Sequence, residues 1–185
     1  ETVHHDGVCF IAREKPVRDV DDALRALTPR TASRSVVVLL EDVKNPHNLG
    51  AILRVCAHFG VRVVLAAGAT PSLSPAAMRT AEGGAEYVDV VPIGSGEDAA
   101  RVVERLRGAG FQVVATSSHT NAKLGDAKLP ARALVLFGSE GEGLSRALLD
   151  DADVTIAIPG SGALESLNVA CASSVILWEL FHSHR

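Results

Sequence analysis

The chain has 185 residues, 47% of them hydrophobic and 22% charged, with 18 Lys+Arg against 22 Asp+Glu for a formal net charge of −4. That length suits one domain, or one domain with an appendage. The ordinary apolar fraction and small net charge exclude wholesale disorder and collagen-like or low-complexity character. The lack of a basic excess argues against a generic polyanion binder, but a few arginines placed in a groove suffice to hold nucleic acid.

Cys9, Cys56 and Cys171 are odd in number and far apart, with no C-x-x-C and no paired His spacing of a zinc site. A reduced, cytoplasmic setting is the expectation. No run approaches the roughly 18 apolar residues of a membrane span, and no basic region precedes an apolar one as in a signal peptide. Residue 1 is Glu and the only Met is Met78, which reads as a piece of a longer chain.

In chain order, Gly7 to Ala12 (GVCFIA) reads as extended and packed, and Asp19 to Leu27 (DVDDALRAL) as a short helix with acids in its first turn, ended by Pro29. From Ser35 the pattern becomes regular. Strands are predicted at Val36 to Leu40, Val61 to Ala66, Tyr87 to Val91, Phe111 to Thr116, Ala133 to Phe137 and Val154 to Ile158. These runs are continuously apolar, as strands covered on both faces are. Helices are predicted at Leu49 to Phe59, Pro75 to Ala81, Glu97 to Arg107 and Leu167 to His182. Strands alternating with helices imply an α/β fold with a mostly parallel sheet and helices on both faces. In such a sheet the ligand site lies outside the carboxyl ends of the strands. The loops to inspect are therefore Glu41 to Asn48, Ser117 to Asp126, Gly138 to Leu144 and Pro159 to Ser166.

Three of these regions are rich in Gly, Asn, Ser and Glu. In EDVKNPHNLGAILRVCAHFG, Glu41 to Gly60, Asn48 is a candidate N-cap, Gly50 permits close approach of another backbone, and Arg54 follows on the helix, where a surface ion pair is the plain structural reading. In LFGSEGEGLS, Leu136 to Ser145, the spacing is G-x-x-G-x-G, neither the dinucleotide fingerprint nor a P-loop. Alone it reads first as a tight turn and less readily as a ligand loop, and Glu140 and Glu142 disfavour an anionic phosphate there. In IPGSGALESLNVACASSVILWEL, Ile158 to Leu180, a Gly/Ser loop enters an apolar helix whose length suits a core or a subunit interface, with Ser166 as a candidate N-cap.

Together and in this order, the three segments resemble the three motifs of the SpoU (TrmH-like) RNA ribose 2′-O-methyltransferases of the SPOUT superfamily. The first motif corresponds to Asn48, Gly50 and Arg54; the second to Gly138, Glu140, Gly141, Gly143 and Leu144; the third to Ile158, Pro159, Ser166, Leu167, Asn168 and Val169. Gly160 stands where the family often has Met. The resemblance runs from Val36 to the C-terminus, so that 35–185 would be the catalytic domain. Residues 1–34 would be a linker or extension at the junction to an RNA-recognition domain.

The resemblance implies a C-terminal deep trefoil knot, binding of S-adenosylmethionine (AdoMet), and methyl transfer to a ribose 2′-hydroxyl of tRNA or rRNA. It also implies a homodimer through the C-terminal helix and the first-motif helix. By correspondence of position, Gly138, Gly143, Ile158 and Leu167 would hold the cofactor, with Thr116 and Ser117 as a further wall. Arg54 would be the catalytic arginine, supported by Asn48, Asn168, Ser166 and Glu140. The alternative is a non-catalytic RNA-binding or assembly module that keeps the knotted scaffold. His47 and His58 match no motif position and read as structural or surface residues, and His119 lies on a loop that could face RNA. Cys56 and Cys171 read as core, and Asp150, Asp151 and Asp153 as a solvated turn. Arg13, Lys15, Arg18, Arg25, Arg30 and Arg34 form a possible RNA-facing strip, balanced by Glu1, Asp6, Glu14, Asp19, Asp21 and Asp22.

Overall fold

A computed structural model describes residues 16, 18–27, 34–71 and 73–182. The predicted stretch 7–12, Pro29, Cys9 and the cations Arg13, Lys15 and Arg30 lie outside the described residues.

Six strands form one parallel sheet in the order β3-β2-β1-β5-β4-β6. They are β1 (Ser35–Glu41), β2 (Val63–Ala67), β3 (Asp89–Gly94), β4 (Gln112–Thr116), β5 (Arg132–Phe137) and β6 (Val154–Ile156). The helices are α1 (Val20–Leu27), α2 (Pro46–Phe59), α3 (Pro75–Ala81), α4 (Glu97–Gly108), α5 (Arg146–Asp150) and α6 (Val169–His182), with short 3₁₀ turns at Gly84–Glu86 and Leu124–Asp126. All predicted strands and helices are present, with ends moved by a few residues, and α5 is an addition. No described helix is long and apolar enough to cross a membrane.

The continuous apolar runs have the expected cause. Along β1, Val36, Val38 and Leu40 join a core layer with α2, α3 and α6, while Val37 and Leu39 join a second layer with α1, α4 and α5. Period-two alternation therefore separates two buried faces rather than core from solvent. The exception is β3, an edge strand on which Pro92 and Gly94 are exposed; a proline is tolerated there because an edge leaves its missing donor unneeded.

Cys56 is fully buried, which pushes its thiol up to about 12. Cys171, by contrast, is exposed, so the expectation of two core cysteines holds for one only. Asp153 is not merely solvated: it accepts from the Val113 backbone N–H at 2.6 Å and pairs with Arg107 at 2.9 Å, fixing the start of β6 beside β4.

Candidate active site

The chain changes direction between β1 and β5, which are neighbours although 90 residues of chain separate their ends. After β1 it enters α2 on one face, and after β5 it enters α5 on the other. This divergence opens a crevice at the strands' carboxyl ends. Glu41, at the end of β1, accepts the Ser145 backbone N–H at 2.7 Å and so holds the loop after β5 beside it.

Next to that point lies a cleft of about 250 Å³ lined by the loops after β4, β5 and β6 and by one side of α6. Every residue expected at the cofactor lines it: Thr116, Ser117, Gly138, Gly143, Ile158 and Leu167. Glu140 and Ser166 line it as well. Val169, Ala172 and Ile176 form the α6 wall; the sequence placed Val169 in the third motif without a site role and did not single out Ala172 and Ile176. Their i, i+3, i+7 spacing on an apolar helix was the available signal, but a uniformly apolar helix hides which side faces a cleft.

The loop after β5 owes its shape to glycine. Ser139 and Gly143 exchange backbone hydrogen bonds of 3.1 and 3.2 Å, with Gly143 at φ 72°. A Cβ on Gly138 would lie 2.1 Å from the Gly143 carbonyl carbon and 2.3 Å from the Leu144 nitrogen, so no side chain fits there. On the opposite wall, Thr116 donates its hydroxyl to the Leu136 carbonyl at 2.9 Å, while the Ser117 backbone N–H bonds Ile156 at 3.0 Å. Thr116 therefore contributes its apolar side and the neighbouring backbone more than its hydroxyl. His119 lines the same cleft and meets Glu165 at 3.4 Å, where the sequence had offered only a loop position facing RNA.

At the rim, residues far apart in the chain converge. Glu140 Oε1 accepts from Asn48 Nδ2 at 2.8 Å and from Asn168 Nδ2 at 2.6 Å, and Asn168 Nδ2 also reaches Asn48 Oδ1 at 3.1 Å. Hydrogen bonds to a charged group of this kind exceed neutral ones in strength. The other end of Asn168 accepts the backbone N–H groups of Ala170 and Cys171 at 3.0 and 3.4 Å. Asn168 is thus the cap of α6, a role for which the sequence offered Ser166, which is exposed and lies two residues upstream of that cap. Likewise α2 begins at Pro46 with Asn45 as its cap, its side chain accepting the His47 N–H. Asn48 is released from capping and turns to Glu140.

Arg54 sits on the third turn of α2, exposed, and is not among the cleft-lining residues. Among the described residues no hydrogen bond or ion pair holds its guanidinium, contrary to the plain reading of a surface ion pair. Its backbone is seated tightly: a Cβ on Gly84 would lie 2.9 Å from the Arg54 Cα. Gly50 also meets its expectation, since its own Cβ would lie 2.4 Å from the Ala77 carbonyl oxygen.

This sheet order, the cleft after β4 to β6 and the three motifs meeting at its rim define an α/β architecture of the SpoU methyltransferase type, and the chain belongs to the SpoU rRNA Methylase family, which it matches over residues 35–178. Over 184 residues it is 38% identical to YfiF of Escherichia coli O157:H7, an uncharacterized tRNA/rRNA methyltransferase, covering 100% of this chain and 51% of that protein. RlmB of Nitrosomonas europaea, a 23S rRNA (guanosine-2′-O-)-methyltransferase, is 32% identical, with 99% of this chain and 68% of that protein covered. The fold superposes on the crystal structure of the SpoU methyltransferase AviRb from Streptomyces viridochromogenes in complex with AdoMet with a TM-score of 0.79 at 28% identity, covering 92% of this chain and 66% of that one. The chain therefore spans about half the length of the first of these relatives and about two thirds of the other two.

Proposed function

We propose that this chain is the catalytic part of an AdoMet-dependent RNA methyltransferase acting on a ribose 2′-hydroxyl of tRNA or rRNA. The observation that carries this reading is the joining of all three motifs at one cleft rim through Glu140, Asn48 and Asn168. The donor set of the cleft fits AdoMet. Apolar walls from Leu144, Ile156, Ile158 and Leu167 and the backbone of the 138–143 loop suit a purine, whose edge needs backbone donors and acceptors. Glu140, Glu142 and Glu165 suit a cationic ligand, and among the described residues no Lys or Arg lines the cleft.

Bound in the cleft, AdoMet supplies an electrophilic methyl group on a positively charged sulfur. Gly138, Gly143, Ile158 and Leu167 hold it through backbone and apolar contact, with Thr116 and Ser117 closing the far wall. Arg54 does not act as the base, because a guanidinium stays protonated in proteins. It holds the phosphate beside the target ribose and stabilises the charge that develops on the attacking 2′-oxygen, whose proton leaves to that phosphate or to water. Asn48 and Asn168, themselves fixed by Glu140, orient the ribose, and Ser166 shapes the rim.

The reading includes a homodimer. On α6 the exposed Cys171, Val175 and Trp178 follow i, i+4, i+7 and leave an apolar stripe on the outer side, with Trp178 half exposed and stacked on His182. Leu164 and Leu167 add apolar surface beside it. A second copy docked there, against α6 and α2, is how Arg54 comes to a cleft it does not line within its own chain. The C-terminal knot belongs to the same reading, supported by the loop after β4, which leaves the sheet and returns to bond Ala157 through Ala122 and Leu124. So does a reduced cytoplasmic setting, supported by Cys56 and Cys171, both unpaired.

The test is methyl transfer from AdoMet labelled in the methyl group to total tRNA and to ribosomal RNA, followed by mapping of 2′-O-methyl nucleotides. Expected is incorporation that disappears in Arg54→Ala while AdoMet binding by calorimetry persists. Cofactor binding without transfer to either RNA class would instead select the scaffold module.

A further inference from the structure

The arginines of the two helical layers are treated differently. On the α1, α4 and α5 side six described arginines have an acidic partner: Arg18 with Asp89, Arg25 with Asp22, Arg101 with Glu97 and Asp98, Arg105 with Asp21, Arg107 with Asp153 and Arg146 with Asp150; Arg132 instead lies over the Phe111 ring and donates to the Ala109 carbonyl. The described members of the N-terminal basic strip are thus already engaged, Arg34 included, which donates to the Phe181 carbonyl. Across the sheet, Lys44 before α2, Arg54 on α2 and Arg79 on α3 are exposed, and among the described residues none has an ion pair or side-chain hydrogen bond. The acids that precede Lys44 in the chain face elsewhere: Glu41 accepts from the Ser145 backbone and Asp42 from the Ala69 backbone at 2.7 Å. Past the end of α3, Glu82 and Glu86 are exposed, and neither pairs with Lys44, Arg54 or Arg79 among the described residues.

The shoulder is also rigid. Gly50 lets α2 approach the Ala77 carbonyl and Thr80, His47 Nδ1 meets Thr80 Oγ1 at 3.1 Å, and Gly84 packs on the Arg54 backbone. The helix bearing Arg79 is thereby held against the helix bearing Arg54. Cations left without acidic partners on a fixed frame, in a protein of net charge −4, have a use that a neutralised surface lacks: they can bind phosphates through charge alone and set the register of a strand.

We propose that the α2–α3 shoulder, through Lys44 and Arg79 flanking Arg54, is the surface that grips the phosphodiester backbone of the RNA. This rests on the RNA methyltransferase reading and adds the face from which substrate approaches. Lys44 and Arg79 are positioning residues, with no part in the methyl-transfer step.

The experiment is fluorescence anisotropy of a labelled RNA hairpin of about 20 nucleotides, titrated with the protein at salt concentrations between about 50 and 200 mM. Lys44→Ala and Arg79→Ala are each expected to lower the slope of log K against log salt by about 0.7–0.9, the share of one phosphate contact. Affinity should fall several-fold for any hairpin sequence, with AdoMet binding by calorimetry unchanged. Arg101→Ala, on the paired side, should change neither slope nor affinity. The proposal is overturned if Lys44→Ala and Arg79→Ala bind like the parent protein, if Arg101→Ala weakens binding equally, or if the hairpin does not bind at 50 mM salt. Altered slopes without any methyl transfer would overturn the enzymatic reading and leave the surface standing.

Discussion

On the α1, α4 and α5 side of the sheet, described arginines are engaged within the protein, six of them by acids and Arg132 by the Phe111 ring, and Arg107 even joins two elements by bonding Asp153 and the Asp151 carbonyl. On the α2, α3 and α6 side, Arg54 and Arg79 are left open and the outer α6 stripe is apolar. Both layers cover the sheet with equally buried aliphatic side chains, so the difference does not serve the core. On the proposed reading, that difference marks the α2, α3 and α6 layer as the one that meets RNA and a second copy.

Substitutions on either side sharpen this contrast. The largest effect is expected from Arg54→Ala, which should cut methyl transfer by about 100-fold or more, as loss of one oxyanion stabiliser does, with the melting temperature unchanged. A rate within about threefold of the parent would remove Arg54 from the chemistry. Gly138→Ala should come next: its Cβ meets backbone on three atoms that cannot rotate away, so the cleft loop must shift, costing about 1–3 kcal/mol in denaturant unfolding and abolishing measurable AdoMet binding.

Asn168→Ala removes the α6 cap and one of the two donors to Glu140, for an expected loss of about 1–2 kcal/mol in stability and a clear fall in transfer rate. On the closed side, Arg107→Ala should lower stability by about 1 kcal/mol, since its pair is partly buried, and leave transfer untouched. Arg101→Ala should be smallest, roughly 0.3–0.5 kcal/mol by the same unfolding measurement, as for other exposed helix pairs. A transfer defect in either closed-side variant would erase the distinction between the layers.

Much of this was legible in the sequence because it is local. Six apolar runs at strand length, a helix after most of them and the three motif segments located the sheet, the loops that matter and all six expected cleft residues. The capping assignments failed for an equally local reason. Asn45, Asn48, Ser166 and Asn168 all have side chains able to cap, and only the backbone path chooses among them; Pro46 at the first turn of α2 was the cue for Asn45. Cys171 was misplaced because α6 is apolar on its outer side too, so hydrophobicity could not tell core from surface.

What the sequence determined by itself was the periodicity of each element and the chemistry available at each loop, since both depend on neighbours a few residues apart. What tertiary structure decided was which partners meet: Glu140 with Asn48 across 92 positions and Asn48 with Asn168 across 120, and which arginines find an acid. Hydrogen bonds and ion pairs act over a few ångströms, and only the order of strands in the sheet brings groups so distant along the chain within that range.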